Sequence, residues 1–296
     1  MRRLEYRIEQ PFDGAEVGTI MRAQLNMGRK TIRHAKYVEN GILLDGVHVY
    51  TVTRAREGQL LSVAIGDSEA DLANQDMKAV PGVLDIVFED EDLIVLNKPA
   101  GMPTHPGPKH PEDSIGNVLI YYYQETHQNC LLHPIHRLDW GTSGLLVFAK
   151  NGFAQDVLQK RFHSMQFKRS YVALCHGVPS PLQGVVEGAI GLINKRWLAC
   201  TEAEGGKFAR SHYRVLATNE AAIGSGECAP QHAASLVELH LETGRTHQIR
   251  IHMAQVACPL FGDSLYGGSE ELISRPALHS YSLSFEHPIT NQMVQL

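Results

Sequence analysis

The sequence contains few of the residues that cross-link a chain or hold a metal ion. Its five cysteines are scattered, odd in number and never spaced as Cys-x-x-Cys, which argues against a disulfide framework or a zinc ribbon and favours a reducing compartment. No segment supplies the roughly 20 consecutive apolar residues of a membrane span, and residues 1–14 lack a hydrophobic signal core. We therefore expect a cytoplasmic protein that makes no contact with a membrane.

Motifs that bind phosphates, dinucleotides or metal ions are absent as well. The chain has no glycine-rich phosphate loop, no dinucleotide fingerprint and no His-Glu-x-x-His segment. Its histidines, among them His133, His136, His240, His247 and His252, raise a metal hydrolase as one alternative. Because no carboxylate triad accompanies them, the sequence offers no convergent set of ligands, and we expect a reaction that needs neither a metal nor a cofactor.

Negative charge is concentrated in one segment. The formal net charge of -5 is unfavourable for a protein that binds nucleic acid, because phosphate contacts come from Lys and Arg. Residues 67–92, however, carry nine acidic residues against the single base Lys78, whereas residues 1–65 hold ten Lys and Arg against seven acidic residues. A polyanionic partner is therefore compatible with the rest of the chain, although charged runs are usually solvated surfaces.

The same polar segment divides the chain. Residues 67–82 lack apolar periodicity and predict an acidic linker between a module at 1–66 and a domain at 83–296. Helical spacing and short apolar runs indicate a small α+β module. In the larger domain, strands occur in runs with few strand–helix–strand alternations, which favours an α+β fold with a mixed, mostly antiparallel sheet flanked by helices.

One acidic residue stands at the rim of a predicted buried strand. In the segment "HPIHRLDWGTSGLLVFAK", Asp139 precedes a small-residue turn at 141–144, which leads into the apolar run 145–149. A carboxylate close to Arg137 is most often part of a surface ion pair. The end of a buried strand is also where catalytic groups are held, and both interpretations remain open from this segment alone.

A second segment, "TGRTHQIRIHMA", gathers arginines and histidines within a few residues. If it is helical after Gly244, one arginine can point at a site while Ile249 and Met253 anchor the helix. The pattern by itself does not establish a pocket.

These two segments resemble signatures of the RluA family of pseudouridine synthases. "HRLDWGTSGLLVFAK" matches the family's His-Arg-Leu-Asp, two free positions, Thr-Ser-Gly and apolar strand, and "TGRTHQIRIHMA" with "PLFGDSLYG" matches its second block. "EDEDLIVLNKPAGMPTHPG", "KRSYVAL" and "LHSYSLSFEHP" resemble further family segments, and all five motifs occur in the family's order. The likeness extends from about residue 83 to the end and implies the pseudouridine synthase fold.

The resemblance implies an enzyme that detaches uracil from ribose in RNA, turns it and rejoins it through carbon 5. It makes Asp139 the essential carboxylate, acting either as a nucleophile or as a base that passes the reaction through a glycal. It makes Tyr171 the residue that stacks on uracil and takes the carbon 5 proton. Because burial disfavours an ionised carboxylate, we expect Arg245 to pair with Asp139 and keep it charged.

The resemblance also predicts how the substrate is held. A stacked uridine must be flipped out of the RNA, and Arg137 would fill the gap that it leaves. Leu260 would form an apolar wall under the uracil, or would simply be a core leucine. Trp140 occupies one of the family's free positions and would stack or pack. We expect a monomer that modifies structured RNA, ribosomal RNA rather than transfer RNA.

Residues 12–65 more faintly resemble the S-four RNA-binding fold, whose helix and hairpin correspond to "KTIRHAKYVENGILLDGVHV". We expect this module to bind RNA outside the active site, the alternative being a stabilising element. A catalytically inactive RNA-binding protein on the same fold is a further alternative. The presence of Asp139, Tyr171 and Arg245 argues against it.

Overall fold

The computed structural model describes residues 2–162, 164, 166–219 and 233–296, which form two antiparallel or mixed sheets with helices packed on them. The smaller sheet belongs to the N-terminal module and the larger one to the rest of the chain. In the part of the chain that is described, no helix is both long and apolar enough to cross a membrane.

The N-terminal module is a four-stranded antiparallel sheet with two helices. Its elements are β1 (Arg3–Arg7), α1 (Val17–Ala23), α2 (Arg29–Tyr37), β2 (Ile42–Leu44), β3 (Val47–His48) and β4 (Leu60–Ala64), and its strand order is β1-β4-β2-β3. The amphipathic helix α2 buries Ile32 and Ala35 against the module's core. Its basic residues lie on the opposite, exposed face, as expected of a helix with one apolar stripe.

The predicted linker is packed against both units. It contains the short helix α3 (Glu69–Ala73), which begins at Ser68 with a capping box formed with Asp71. Asp67 is buried and lies 2.9 Å from His133 Nε2, and Asp71 lies 2.8 Å from His34 Nε2. The segment therefore does not serve as a free tether, because these contacts fix both of its sides. The domain limits 1–66, 67–82 and 83–296 stay a prediction.

The larger sheet has eleven strands. They are β5 (Ile86–Glu89), β6 (Leu93–Lys98), β7 (His133–Pro134), β8 (Ser143–Ala149), β9 (Phe167–His176), β10 (Gln183–Ile193), β11 (Arg196–Cys200), β12 (Lys207–Thr218), β13 (Ala234–Leu241), β14 (Leu278–Glu286) and β15 (Met293–Gln295). The order is β11-β10-β12-β13-β9-β14-β8-β6-β5, with β15 on β14 and β7 on β8. Among the described strands, β8 and β14 form the one parallel pair, which confirms the predicted mixed, mostly antiparallel sheet.

Three helices accompany this sheet: α4 (Ile115–Glu125), α5 (Gly152–Phe162) and α6 (Gln248–Gln255). Helix α6 buries Ile249 and Met253 in the main core, as the sequence predicted. It begins later than expected, because His247 is in the left-handed region with φ of 57° and Gln248 Oε1 accepts a hydrogen bond from Arg245 N at 2.9 Å. Arg245 therefore lies in a turn before the helix.

Candidate active site

A cleft of about 150 Å³ opens where the loop between β7 and β8 meets β9 and the start of α6. Four of the five predicted site residues line it, namely Asp139, Tyr171, Arg245 and Arg137. Leu260 is not among the residues that line the cleft. The fold thus brings together residues that are more than 100 positions apart in the chain.

The loop that carries Asp139 is held by its backbone. Thr104 Oγ1 donates to the Leu138 carbonyl at 3.0 Å and accepts from Leu138 N at 3.1 Å, and Gly101 N donates to the Trp140 carbonyl at 2.8 Å. The Asp139 carbonyl accepts from Thr142 N at 3.0 Å. With its neighbours fixed in this way, the position of Asp139 does not depend on contacts of its own side chain.

Two glycines of the same segment are required by close packing. A Cβ atom at Gly144 would lie 2.2 Å from the Ser280 carbonyl oxygen of β14, and φ at this position is 111°. A Cβ atom at Gly141 would lie 2.8 Å from Pro276 Cδ. These contacts explain the small-residue turn physically, since it lets β8 approach β14 directly behind the Asp139 loop.

The carboxylate of Asp139 is half-buried and faces the cleft. It forms no hydrogen bond and no ion pair with any residue that the structure describes, so it is available to a substrate. The structure does not contain the predicted ion pair between Arg245 and Asp139. Because Arg245 precedes the helix, its Nε donates to the Phe208 carbonyl at 3.0 Å, at the margin of the cleft.

The buried arginine of the cleft is Arg250 rather than Arg245. It lies in the first turn of α6, lines the cleft and is only 9% exposed. Its Nε and Nη2 donate to the two carboxylate oxygens of Asp263 at 2.7 and 2.6 Å, and its guanidinium lies 5.0 Å from the centre of the Tyr266 ring. Burial opposes its charge, but Asp263 and the nearby Asp139 raise its pKa, so it stays protonated. No signal in the sequence indicated this pair, because the burial of Asp263 is visible only in the fold.

A second buried cation lies behind the loop. Lys98 is fully buried at the end of β6, and its Nζ donates to the carbonyls of Pro99 at 2.8 Å and Met102 at 2.7 Å. Burial lowers its pKa to about 8, and the negative charge of Asp139 opposes this shift. Two buried cations, Arg250 and Lys98, therefore lie close enough to Asp139 for its negative charge to raise their pKa values.

Tyr171 stands on β9 and is 4% exposed, with its side chain against the cleft. Burial raises its pKa, as does Asp139, while Arg169 acts in the opposite direction. The phenol is therefore protonated in the free protein. This placement fits the predicted stacking on uracil better than a role as a base already deprotonated before the substrate binds.

The remaining predicted contacts differ in exposure. Arg137 is exposed at the cleft, and its side chain has no hydrogen bond or ion pair within the described ranges; Trp140 is 51% exposed. Leu260 is 0% exposed and packs in the main core, since its segment bridges to β9 at Cys175. The apolar lining of the cleft comes instead from Leu241, Ile249 and Leu278, together with other residues.

The histidines proposed as alternative metal ligands do not converge. His136 is buried and stacks on Phe162 at 5.9 Å, and burial together with Arg169 lowers its pKa to about 3. His133 faces Asp67 instead. Neutral or paired side chains at separate places do not form a metal site.

One group of described residues, Asp90, Asp92 and His287, does have spacing suited to a metal ion. Its hydrogen bonds argue against that use. His287 Nδ1 accepts from the backbone N–H groups of Ile289 at 3.3 Å and Thr290 at 3.1 Å, so the ring proton is on Nε2, which lies 3.0 Å from Asp90 Oδ2. A nitrogen that carries a proton cannot ligate a metal.

The sequence profile of RNA pseudouridylate synthases matches residues 92–255, a range that includes the Asp139 loop, Tyr171 and Arg250. The chain belongs to the RNA pseudouridylate synthase family. This confirms the predicted RluA-type resemblance and the predicted isomerase class.

Curated relatives of this RNA pseudouridine synthase cover from 71% to 99% of the chain. An uncharacterized RNA pseudouridine synthase of Bacillus subtilis is 33% identical over 99% of this chain and 92% of its own length. A ribosomal large subunit pseudouridine synthase D of Zymomonas mobilis is 38% identical over 71% of this chain and 67% of its own length. The solved structure of human RNA pseudouridylate synthase domain containing 1 has 25% identity, a TM-score of 0.57 and coverage of 73% of this chain and 84% of that one.

Proposed function

We propose that this RNA pseudouridine synthase modifies uridines in structured ribosomal RNA of the large subunit, with Asp139 as the essential carboxylate. The observation that carries the assignment of Asp139 is its position: it faces the cleft without a protein partner, on a loop whose backbone is fixed. The choice of ribosomal RNA is supported by the relative from Zymomonas mobilis, which is named for the large ribosomal subunit. Transfer RNA is the alternative substrate.

The charge of Asp139 acts on two nearby cations. Arg250 and Lys98 are buried cations whose pKa values respond to the negative charge of Asp139. An ionised Asp139 can attack the ribose carbon or remove a ribose proton, and either route releases uracil from its glycosidic bond. Tyr171 would stack on the released base, since its ring is buried at the wall of the same cleft.

Two arginines at the cleft are suited to RNA rather than to Asp139. Arg137 is exposed and unpaired within the described residues, and it would occupy the space left by the flipped uridine. Arg245 is anchored by Nε to the Phe208 carbonyl, which leaves its terminal nitrogens free to contact a phosphate. We assign Arg245 to substrate binding for this reason.

The N-terminal module would add a second RNA contact. Its helix α2 exposes Arg29, Arg33 and Lys36 on one face, and Tyr37 beside them is 81% exposed. Exposed cations next to an aromatic ring are the usual means of holding an RNA backbone and an unstacked base. We propose that the protein acts as a cytoplasmic monomer with this module oriented by its contacts to α5.

The test is a comparison of pseudouridine maps of ribosomal and transfer RNA from cells with and without the gene. We expect one or a few sites in large-subunit RNA to disappear and to return with the wild-type gene but not with D139N. Sites that disappear from transfer RNA alone would overturn the choice of substrate. If D139N restores the sites, the role of Asp139 is wrong.

A further inference from the structure

The hairpin of β10 and β11 extends well past the cleft. The cleft lies level with Ser211 and Leu241, which are neighbours in β12 and β13, and Ser211 pairs with Val186 of β10. From Val186, β10 continues towards its turn at Asn194, a distance of about 26 Å at roughly 3.3 Å per residue. The hairpin therefore projects beyond the cleft end of the sheet, where substrate RNA adjacent to the bound uridine would lie.

The turn of this hairpin has an unusual sequence. Ile193 pairs with Arg196, so Asn194 and Lys195 form a two-residue loop, and their φ angles are 48° and 65°. Such turns require positive φ at both positions and strongly prefer Asn-Gly. A lysine in the second position is sterically unfavourable, because its Cβ crowds the backbone in the left-handed region. The fold alone gives no reason for Lys195, whose side chain is exposed.

The hairpin carries cations without partners. Lys195, Arg196 and Lys207 are exposed, and none of their side chains forms a hydrogen bond or ion pair with a residue in the described ranges. By contrast, Arg210 and Arg214 on β12 are paired with glutamates at 2.5 and 2.7 Å. The unpaired cations are thus confined to the end of the sheet that lies near and beyond the cleft.

Lys207 connects the turn to the cleft. It pairs with Ile190, whose side chain packs with Ile251 of α6, so Lys207 stands on the face of the sheet that carries α6 and the cleft. The next residue, Phe208, receives the hydrogen bond from Arg245 Nε. Lys195, Lys207 and Arg245 therefore form a row of cations that leads from the tip of the hairpin to the cleft.

The acidic residues of this region lie elsewhere. Glu202 and Glu204 belong to the connection 201–206, which crosses β10 on the opposite face, because Gly206 packs against Gly191 and Ala189. Gly191 and Ala189 alternate with Ile190 and so face away from α6. Glu202 and Glu204 therefore lie on the face of the hairpin opposite to Lys207.

We propose that the β10–β11 hairpin is an RNA-binding arm, in which Lys195 and Lys207 contact phosphates of the substrate beside the uridine held in the cleft. The proposal rests on the function proposed above. The contact is electrostatic and independent of sequence, so it orients the RNA and adds affinity without taking part in the chemistry.

The decisive variant is K195G, because it should weaken RNA binding without destabilising the fold. Glycine suits the positive φ, so the melting temperature should stay unchanged or rise, whereas the dissociation constant for a transcribed large-subunit ribosomal RNA should increase about three- to tenfold. The slope of log affinity against log salt should fall by roughly one unit. The single-turnover rate at saturating RNA, followed by release of tritium from carbon 5 of labelled uridine, should not change.

Two matched variants test the cause. N194G eases the same turn without removing a charge, and K195R keeps the charge at the tip, so both should bind RNA like the wild type. If K195G lowers the melting temperature, the test is repeated with K207Q, which leaves the turn intact. The slope of log affinity against log salt for K207Q then shows whether the hairpin binds RNA. If both K195G and K207Q bind RNA with the affinity and the salt slope of the wild type, the proposal that the hairpin is an RNA-binding arm is wrong. A wild-type protein that releases no tritium from any RNA would instead contradict the proposed function.

Discussion

Carboxylates in two regions of this molecule have opposite surroundings. Where the N-terminal module meets the larger domain, Asp67, Asp71 and Asp92 all have close partners, and Asp92 accepts hydrogen bonds from Arg2 at 2.9 and 3.0 Å and from Asn151 at 2.9 Å. In the cleft, Asp139 accepts no hydrogen bond from any described side chain or backbone group. The comparison indicates that paired carboxylates hold the two units together, whereas an unpaired one is kept available for a substrate.

The strongest test of this difference is D139N. The amide is nearly equal in size but has no charge, so we expect single-turnover pseudouridine formation to fall by at least about a thousandfold. Because the Asp139 side chain has no partner to lose, the free energy of unfolding should change by less than about 1 kcal/mol. Urea unfolding and tritium release on the same preparation measure both quantities.

The matched control is D263N, which removes the charge of a buried, paired carboxylate. It leaves Arg250 uncompensated and should reduce the free energy of unfolding by about 3–5 kcal/mol. If D139N destabilised the fold as much as D263N, Asp139 would belong with the structural carboxylates. Activity of D139N within tenfold of the wild type would remove it from the mechanism.

The next largest effect is expected for Arg250, because it contacts both a paired carboxylate and the region of the unpaired one. It is paired with Asp263 but also lies in the cleft with Asp139. R250M should lose stability by about 3–5 kcal/mol and activity by at least about a hundredfold, because both carboxylates lose a cation. R250K keeps the positive charge but loses the paired hydrogen bonds to Asp263, so its rate should lie between those of the wild type and R250M. Equal rates for wild type, R250K and R250M would show that Asp139 needs no cation at this position.

A smaller effect is expected for R245A. Since Arg245 contacts the Phe208 carbonyl and not Asp139, its loss should weaken binding of the ribosomal RNA about three- to tenfold and leave the single-turnover rate at saturating RNA within about threefold. The salt dependence of affinity should decrease by roughly one unit. A large loss of rate at saturating RNA, with unchanged affinity, would restore Arg245 as the partner of Asp139.

The contrast between Arg245 and Arg250 shows what the sequence could and could not predict. Motif order predicted the fold class, the Asp139 loop and the position of Tyr171 on a buried strand. The choice between two arginines five residues apart depended on where α6 begins, and that is set by the left-handed His247 and the bond from Arg245 N to Gln248. Helix limits depend on such local contacts, which residue spacing alone does not reveal.

The surroundings of residues 67–82 and of Leu260 also depend on contacts that the sequence does not reveal. Residues 67–82 are polar and acidic, which is typical of a tether, but Asp67 and Asp71 find histidines that are distant in sequence. Leu260 is an apolar residue in a matching motif, and the bridge of its segment to Cys175 turns its side chain into the core. In both cases tertiary contacts, not composition, decide the environment of the side chain.

The smallest predicted effect concerns Asp71, one of the paired carboxylates, and appears as a change of stability with pH. Burial opposes ionisation of Asp71, but hydrogen bonds from Ser68 and His34 prevail and lower its pKa to about 2 from 3.8. Because the pKa of Asp71 is lower in the folded state, its ionised carboxylate stabilises the protein at pH values above the unfolded pKa of 3.8. This stabilisation is lost as the pH falls from 3.8 towards 2. Because the Asp71 side chain is 36% exposed, solvent screening reduces this contribution to about 0.5–1 kcal/mol.

D71N should therefore be less stable than the wild type by that amount at pH 7, and this difference in the free energy of unfolding should narrow as the pH falls from 3.8 towards about 2. Urea unfolding at each pH measures it. E69Q is the control in the same helix, because the exposed side chain of Glu69 has no hydrogen bond or ion pair among the described residues. The difference in stability between E69Q and the wild type should therefore stay small at every pH. RNA-modifying activity of D71N should equal that of the wild type at pH 7, because Asp71 lies outside the cleft. A D71N gap that does not change with pH would mean that the ionised carboxylate does not hold α3 against His34.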